Sequence, residues 1–397
     1  MKNVVLLFLL ISAFTLNSQT DTTFNSRKDL FDVLRSRFKT KDQIRKDTLA
    51  RKSNLVYWSI LPGFGYAQQK GFSAVCTNNA SFYFHKDSVN KISSIDFIVE
   101  YTQYKQFLFP IISTIWTRGN KFCLQGDWRY LKYSTKAYGL GGVNHDSDAE
   151  LINYSHFRFH QLVMRQLAKD VLVGVGYNFD CHWNIIPDAS NGSFYNGDIR
   201  NYGFDSSCVS SGFVLNFLFD ERKNSNNPSQ GYYANAMYRS SSKRLGATQN
   251  WNTIRVDLRK YFSVSRNSNN ILAFWSYNWF TLSGKQPYFD LPGNGWDTES
   301  NVARAFRQGR YTAKNLIYIE SEYRFDITRN GLIAGSVFAN ALSVSNKTNT
   351  KFDPILPGAG CSIRMLANKY ANTHLVLSYA IGLNGASGFS FNLGEAF

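Results

Sequence analysis

From Leu55 to Phe397 the chain alternates between apolar and small or polar residues, in segments of about ten to thirteen residues with a period of two. Val171, Val173, Val175, Tyr177 and Phe179 share one face, against Leu172, Gly174, Gly176, Asn178 and Asp180 on the other. Leu375, Leu377, Tyr379, Ile381 and Leu383 repeat the pattern against Val376, Ser378, Ala380, Gly382 and Asn384. Strands of water-soluble sheets average about five or six residues. A tilted strand that crosses a bilayer needs about nine to eleven. Lipid offers no partner to a free backbone group, so a sheet that crosses it must close on itself. Length and alternation together predict an all-β fold, a transmembrane antiparallel β-barrel.

Sixteen candidate strands begin near residues 55, 71, 92, 107, 120, 154, 170, 208, 231, 251, 271, 314, 330, 355, 372 and 386. An even count returns both ends to the periplasmic side, which makes connections after odd strands external. The longest connections, near 133–153, 182–207 and 282–313, all follow odd strands. Tight turns at Arg118-Gly119 and Thr328-Arg329 follow even ones; residues 220–230 are longer than that rule prefers.

Ahead of the barrel, Lys2 and the apolar run Val4–Leu16 read as a signal peptide over residues 1–18, cleaved near Ser18 or Gln19. No other apolar run is long enough for a membrane-spanning helix. Residues 19–54 form a basic periplasmic segment, with ten Lys or Arg against four Asp between Arg27 and Lys52. Leu30, Val33, Leu34 and Phe38 recur at helical spacing, predicting a short amphipathic helix. It is either a solvated face or a plug at the mouth or membrane surface. Residues 55–397 are the barrel. The net charge of +16 suits nucleic acid or anionic lipid and glycolipid equally. With 32 Phe, 23 Tyr and 8 Trp, the composition favours a barrel in lipid over a nucleic-acid binder. The five cysteines lack metal-ligand spacing; Cys181 and Cys208 flank one loop and could pair at its base.

Three stretches carry more specific information. FDERKNSNNPSQGYY holds Asp220, Arg222, Pro228 and Gly231. The loop from Pro292 holds Arg304, Ala305, Phe306, Gly309 and Arg310, and runs into a strand with Glu320, Glu322 and Arg324 on one face. The C-terminal strand presents Phe389, Phe391, Leu393 and Phe397. Such a loop is either an ordinary surface loop or one that folds inward. An arginine folded into a lumen loses hydration and tolerates that only beside a carboxylate, such as Glu320 or Glu322 on the strand that follows.

In this order the three stretches resemble the BamA/TamA family of bacterial surface-antigen barrels, in particular short Bacteroidetes-type members without periplasmic POTRA domains. The resemblance is strongest from Phe213 onward. It implies that Arg304 docks against acids inside the barrel, with Arg310 in the same network, and that the lipid-side aromatics ending at Phe397 form an assembly signal, or else simply an interfacial girdle. The chain departs from the family pattern at Ala305, where the motif has glycine, and at Ser378, where it has aspartate.

The resemblance implies assistance to insertion or translocation of polypeptide or lipid at the outer membrane of a Gram-negative cell. The alternative is a passive channel or structural surface-exposed protein. Expected partners are outer-membrane lipid and lipopolysaccharide, a client polypeptide or lipid, and the outer-membrane assembly machinery; nucleic acid is not expected. No catalytic, metal or cofactor motif is present. His156 and His160 flank Arg158 on one face, but a rise of roughly 13 Å separates them.

Overall fold

The computed structural model describes residues 27–30, 32–33, 56–67, 71–84, 91–187, 202, 206–222, 224–264, 270–347, 350–369 and 372–397. The described strands are β1 (Val56–Ala67), β2 (Gly71–Phe82), β3 (Ser93–Thr102), β4 (Phe107–Trp116), β5 (Phe122–Ala137), β6 (Glu150–Ala168), β7 (Val171–Pro187) and β8 (Ser207–Asp220). They continue as β9 (Gly231–Ser241), β10 (Trp251–Ser263), β11 (Ile271–Gly284), β12 (Asn315–Asp326), β13 (Ile333–Val344), β14 (Leu356–Asn368), β15 (Thr373–Gly382) and β16 (Ser387–Leu393). Together they form one 16-stranded sheet in strict chain order. Neighbours pair antiparallel throughout, so each connection needs only a hairpin. The sheet curls until β1 and β16 meet.

Strand starts fall within a few residues of the periodicity. The largest difference is β6, which begins at Glu150 because Glu150 pairs with Ala137 well above the rim. Strands β5, β6 and β7, with 16, 19 and 17 residues, are longer than a bilayer requires and stand proud of their neighbours.

Alternation sorts the side chains. Leu215, Phe217, Val175, Ile319, Ile363 and Phe391 point outward and are exposed, a surface that water would not tolerate and lipid would. Asn216, Asp180, Glu320, Arg364 and Ser378 point inward and are buried. Among the lysines and arginines of the described strands, every inward one is an arginine, and every lysine, at positions 132, 136 and 260, faces out. Arginine's planar fork suits fixed pairs with carboxylates, whereas lysine's flexible stem lets its ammonium reach water past apolar surface.

The lumen is filled. One apolar cluster joins Trp275, Tyr318 and Phe338 of the wall to Phe306 of a loop and to Phe397. A second packs Tyr288 and Phe289 on Tyr133 and Tyr154.

The N-terminal segment contributes helical conformation at Leu30, Asp32 and Val33, with Asp29 accepting from Asp32 N at 2.8 Å as an N-cap. Lys28 N donates to Asn330 O at 3.1 Å, and Lys369 Nζ reaches Asp32 at 2.6 Å, so this segment meets the β12–β13 and β14–β15 turns. The expected signal peptide and the rest of the expected helix lie outside the described residues.

Cys181 and Cys208 do not pair, and all five cysteines are free. Cys208 stands opposite His182, not Cys181, and this one-residue offset places the two thiols on opposite faces of the sheet.

Leu215, outward at mid-strand, tests the orientation of the wall. Leu215→Arg should lose about 2–4 kcal/mol in denaturant titrations of the vesicle-folded barrel, whereas Asn216→Ser should lose much less. Equal losses would contradict this assignment of faces.

Candidate functional site in the lumen

The loop between β11 and β12, residues 285–314, turns back into the barrel. Gly295 and Gly309, with φ of 72° and 73°, provide its reversals. Asn294 ties the two arms together, accepting from Tyr311 N at 2.9 Å and donating to Arg307 O at 2.8 Å. Asp297 accepts from the backbone of Asn301 and Val302, each at 2.9 Å, and tightens the descent toward the tip. The left-handed alanine is Ala303, at φ 60°, so backbone strain falls there and not at Ala305, where the family pattern has glycine.

At the tip, Arg304, Ala305 and Phe306 are buried against β14, β15 and β16. Gly358 and Gly382 make room for them. A Cβ on Gly382 would lie 2.7 Å from the Phe306 ring, and one on Gly358 would lie 3.3 Å from Ala305 Cβ. The tip thus braces the last three strands from inside.

Arg304 donates to Glu320 and, at 3.1 Å, to Glu322. Its guanidinium lies 3.7 Å over the Phe338 ring. Tyr318 and Asn340 donate to the second oxygen of Glu320. Burial opposes the charge on Arg304, but Glu320 and Glu322 outweigh it and raise its pKa above the ordinary arginine value. Ser378, at the position of the expected aspartate, lies 3.5 Å from Arg304 Nη1 and bonds Ser362 at 2.9 Å.

The ion pairs continue. Glu322 accepts from Arg324 at 2.7 Å; Arg324 lies 3.9 Å from Glu395; Glu395 accepts from Arg364 at 2.9 Å and lies 3.0 Å from His374. Glu395 comes from the tail after β16, which turns inward at Gly394, φ 107°. Phe397 follows it into the lumen, stacked on Trp275 at 5.1 Å with its carbonyl 3.0 Å from Arg324. Phe389 and Phe391 do face outward, but Phe397 is 3% exposed and leaves the lipid side to which the sequence assigns it, because the chain has already turned.

Arg310 also departs from expectation. It does not join Arg304 but sits 5.6 Å from the Tyr138 ring, in an exchange with Asn144 that ties this loop to residues 138–149. Gly309 supplies the reversal just before it, so the two arginines of the motif diverge.

The strand-turn residues come together at the opposite mouth. Arg222 pairs with Asp220 at 2.9 Å and covers the Tyr233 ring at 4.3 Å; Pro228 is buried; Gly231, φ 111°, has no room for a Cβ clear of Glu221 O. The extra length of residues 221–230 has a use. Asn227 bonds Arg364 of β14 at 3.2 Å, six strands from β8, so the turn crosses the lumen.

A second cluster escapes motif reading. Asp180 of β7, fully buried, gathers His156 at 3.1 Å, His160 at 2.7 Å, Arg158 at 2.8 Å and Arg239 at 2.8 Å. The two histidines, too far apart along the strand for one ion, converge on this one carboxylate. The signal was only partly available: the turn at Lys169-Asp170 alone would set Phe159 opposite Asp180, and the bulge between Gln166 and Ala168 shifts the register by one to bring Arg158 there. Among the described residues no group of three acids, histidines or cysteines is arranged to hold a metal. Beside the cluster, Asp290 of the inward loop accepts from Ser210 at 2.5 Å, and burial, with Asp180 adding, pushes its pKa up to about 7.

The wall, the inward loop and the tail can be set beside known structures. The barrel of BamA from Haemophilus ducreyi lacking POTRA domains 1-3 superposes with a TM-score of 0.53 at 14% identity, over 84% of this chain and 68% of that one. The fold is that of the BamA and CdiB barrels. CdiB from Acinetobacter baumannii gives a TM-score of 0.54 at 13% identity, and CdiB from Escherichia coli gives 0.53 at 9%. Each aligns over 86% of this chain, which spans only 60% and 61% of the respective CdiB chains. No family model and no curated protein matches the sequence. At these identities the likeness to BamA and CdiB is one of fold.

Arg304→Ala leaves buried Glu320 without a cation and Glu322 with Arg324 alone, and should destabilise the barrel by about 3–5 kcal/mol; Arg304→Lys should recover little, since one ammonium cannot replace the fork. Limited proteolysis at residues 292–314 reads the released tip, and an unchanged digestion pattern would contradict the clamp. Asp290 gives a pH signature. Its raised pKa favours the proton in the docked loop, so docking should weaken as pH rises from about 4 to 7 and level off above. Cleavage near 285–291 should be faster at pH 8 than at pH 5, and Asp290→Asn should abolish the difference.

Proposed function

We propose that the barrel assists insertion or translocation of polypeptide or lipid at the outer membrane of a Gram-negative cell. The observation that carries this reading is the seam. Strands β1 and β16 meet, yet among the described residues no backbone ladder joins them. Strand β16 has seven residues, while the other described strands have ten or more. Strand β1 contains Pro62, whose nitrogen has no hydrogen to give. Unpaired backbone facing lipid is costly, and another strand or chain that pairs with it relieves that cost. The seam is therefore the place where a client segment would add.

The filled lumen supports the same reading over the passive channel or structural surface-exposed protein. The tip at Arg304, the tail at Glu395–Phe397 and the turn at Asn227 occupy the path a pore would need. The client polypeptide or lipid and the assembly machinery are the partners this reading implies, and the signal peptide over residues 1–18 would direct export.

The test uses purified full-length protein in phosphatidylcholine vesicles. Insertion of a urea-unfolded eight-stranded barrel should be faster than into empty vesicles, and Arg304→Ala should remove much of the gain. In planar bilayers the protein should show brief openings only. A steady open level with no acceleration of insertion would select the passive channel.

A further inference from the structure

The outward face carries a second asymmetry. Among the described strand residues only four basic side chains point outward: Lys132 and Lys136 on β5, Arg165 on β6 and Lys260 on β10. Arg165 and Lys260 lie toward the short turns. Lys132 and Lys136 lie at the long-loop end, and there they have that face to themselves. Both are exposed, and neither takes an acidic partner among the described residues.

Their setting is built in order of height. Trp128, stacked on Phe159 at 5.5 Å, comes first along β5. Tyr130 follows, 6.1 Å from Phe107 of β4 and 6.3 Å from Trp183 of β7. Lys132 stands opposite Phe107, the first residue of β4, so it marks the rim. Lys136 is a further four residues up, roughly 13 Å by strand rise, where β5 and β6 continue above that rim. Tyrosine and tryptophan mark the level at which hydrocarbon gives way to headgroups. An ammonium directly above that belt stands at the depth of lipid phosphates, and a second one reaches beyond it.

We propose that Lys132 and Lys136, above the Phe107–Tyr130–Trp183 shelf, form a docking site on the barrel wall for a membrane glycolipid carrying two phosphates. Charge complementarity selects the occupant. Two unpaired cations at two heights match one headgroup with two separated anions better than a layer of single phosphates in one plane. The site rests on the barrel crossing a bilayer, not on what the seam or lumen does.

The protein is reconstituted in phosphatidylcholine nanodiscs doped with a bisphosphorylated glycolipid, its monophosphoryl form, or phosphatidylglycerol at equal total charge, and retained lipid is counted by native mass spectrometry. Wild type should retain the bisphosphorylated lipid preferentially. Lys132→Gln/Lys136→Gln should weaken retention roughly thirtyfold, and Lys260→Gln should leave it unchanged. Equal retention by the double variant, or equal retention of phosphatidylglycerol, would overturn the proposal. Heat-modifiable migration on gels verifies that each variant is folded. Insertion measured in glycolipid-free vesicles is a separate readout, so loss of one leaves the other standing.

Discussion

A row of alternating charges runs through the lower lumen, and the rest of the interior depends on its being complete. Arg304, Glu322, Arg324, Glu395 and Arg364 follow one another within hydrogen-bond or ion-pair distance, with Glu320 beside the first. Each would be prohibitive to bury alone. Their order allows them to sit where water is scarce, and it joins five separate pieces: the inward loop, β12, β14, the turn at Asn227 and the tail. A network of this kind is stable when every member is present and worse than an apolar filling when one is missing. Its worth lies in holding one arrangement of loop and tail against the wall.

Much of the wall was legible in the sequence. Period-two alternation gives faces and segment length gives the surrounding medium; the strands of the structure begin close to where those patterns place them. Arg304 beside Glu320 and Glu322 could be anticipated because the loop resembles a motif whose arginine docks inside, and a lumen arginine has few partners other than a carboxylate. What was illegible is what depends on backbone turns that alternation does not encode. Nothing in the periodicity says that Gly394 takes a left-handed conformation, so Phe397 reads as one more outward aromatic. Likewise Gly309 separates Arg310 from Arg304 although they are only six residues apart. The Asp180 cluster is an intermediate case, since each member lies on a polar face but the bulge between Gln166 and Ala168, which brings Arg158 opposite Asp180, is not encoded in the alternation.

Inside and outside use different cations for the same physical reason. The lumen requires fixed geometry, and its strands place arginine there, often with a carboxylate. The outer surface requires an apolar body with a charge that can escape it, and the strands place lysine near their ends. Glycine has a comparable division of labour: at Gly358 and Gly382 it leaves volume for the loop tip, whereas at Gly394 it supplies a turn.

That turn has a consequence for assembly. Until the chain beyond β16 swings inward at Gly394, Arg324 and Arg364 stand in the lumen short of one carboxylate, and the Trp275 ring lacks its stacking partner. The stretch that ends the wall therefore also completes the interior. A barrel with fifteen strands in place is open at its side and, at the same moment, carries excess positive charge within, so setting the last strand removes both faults in one step.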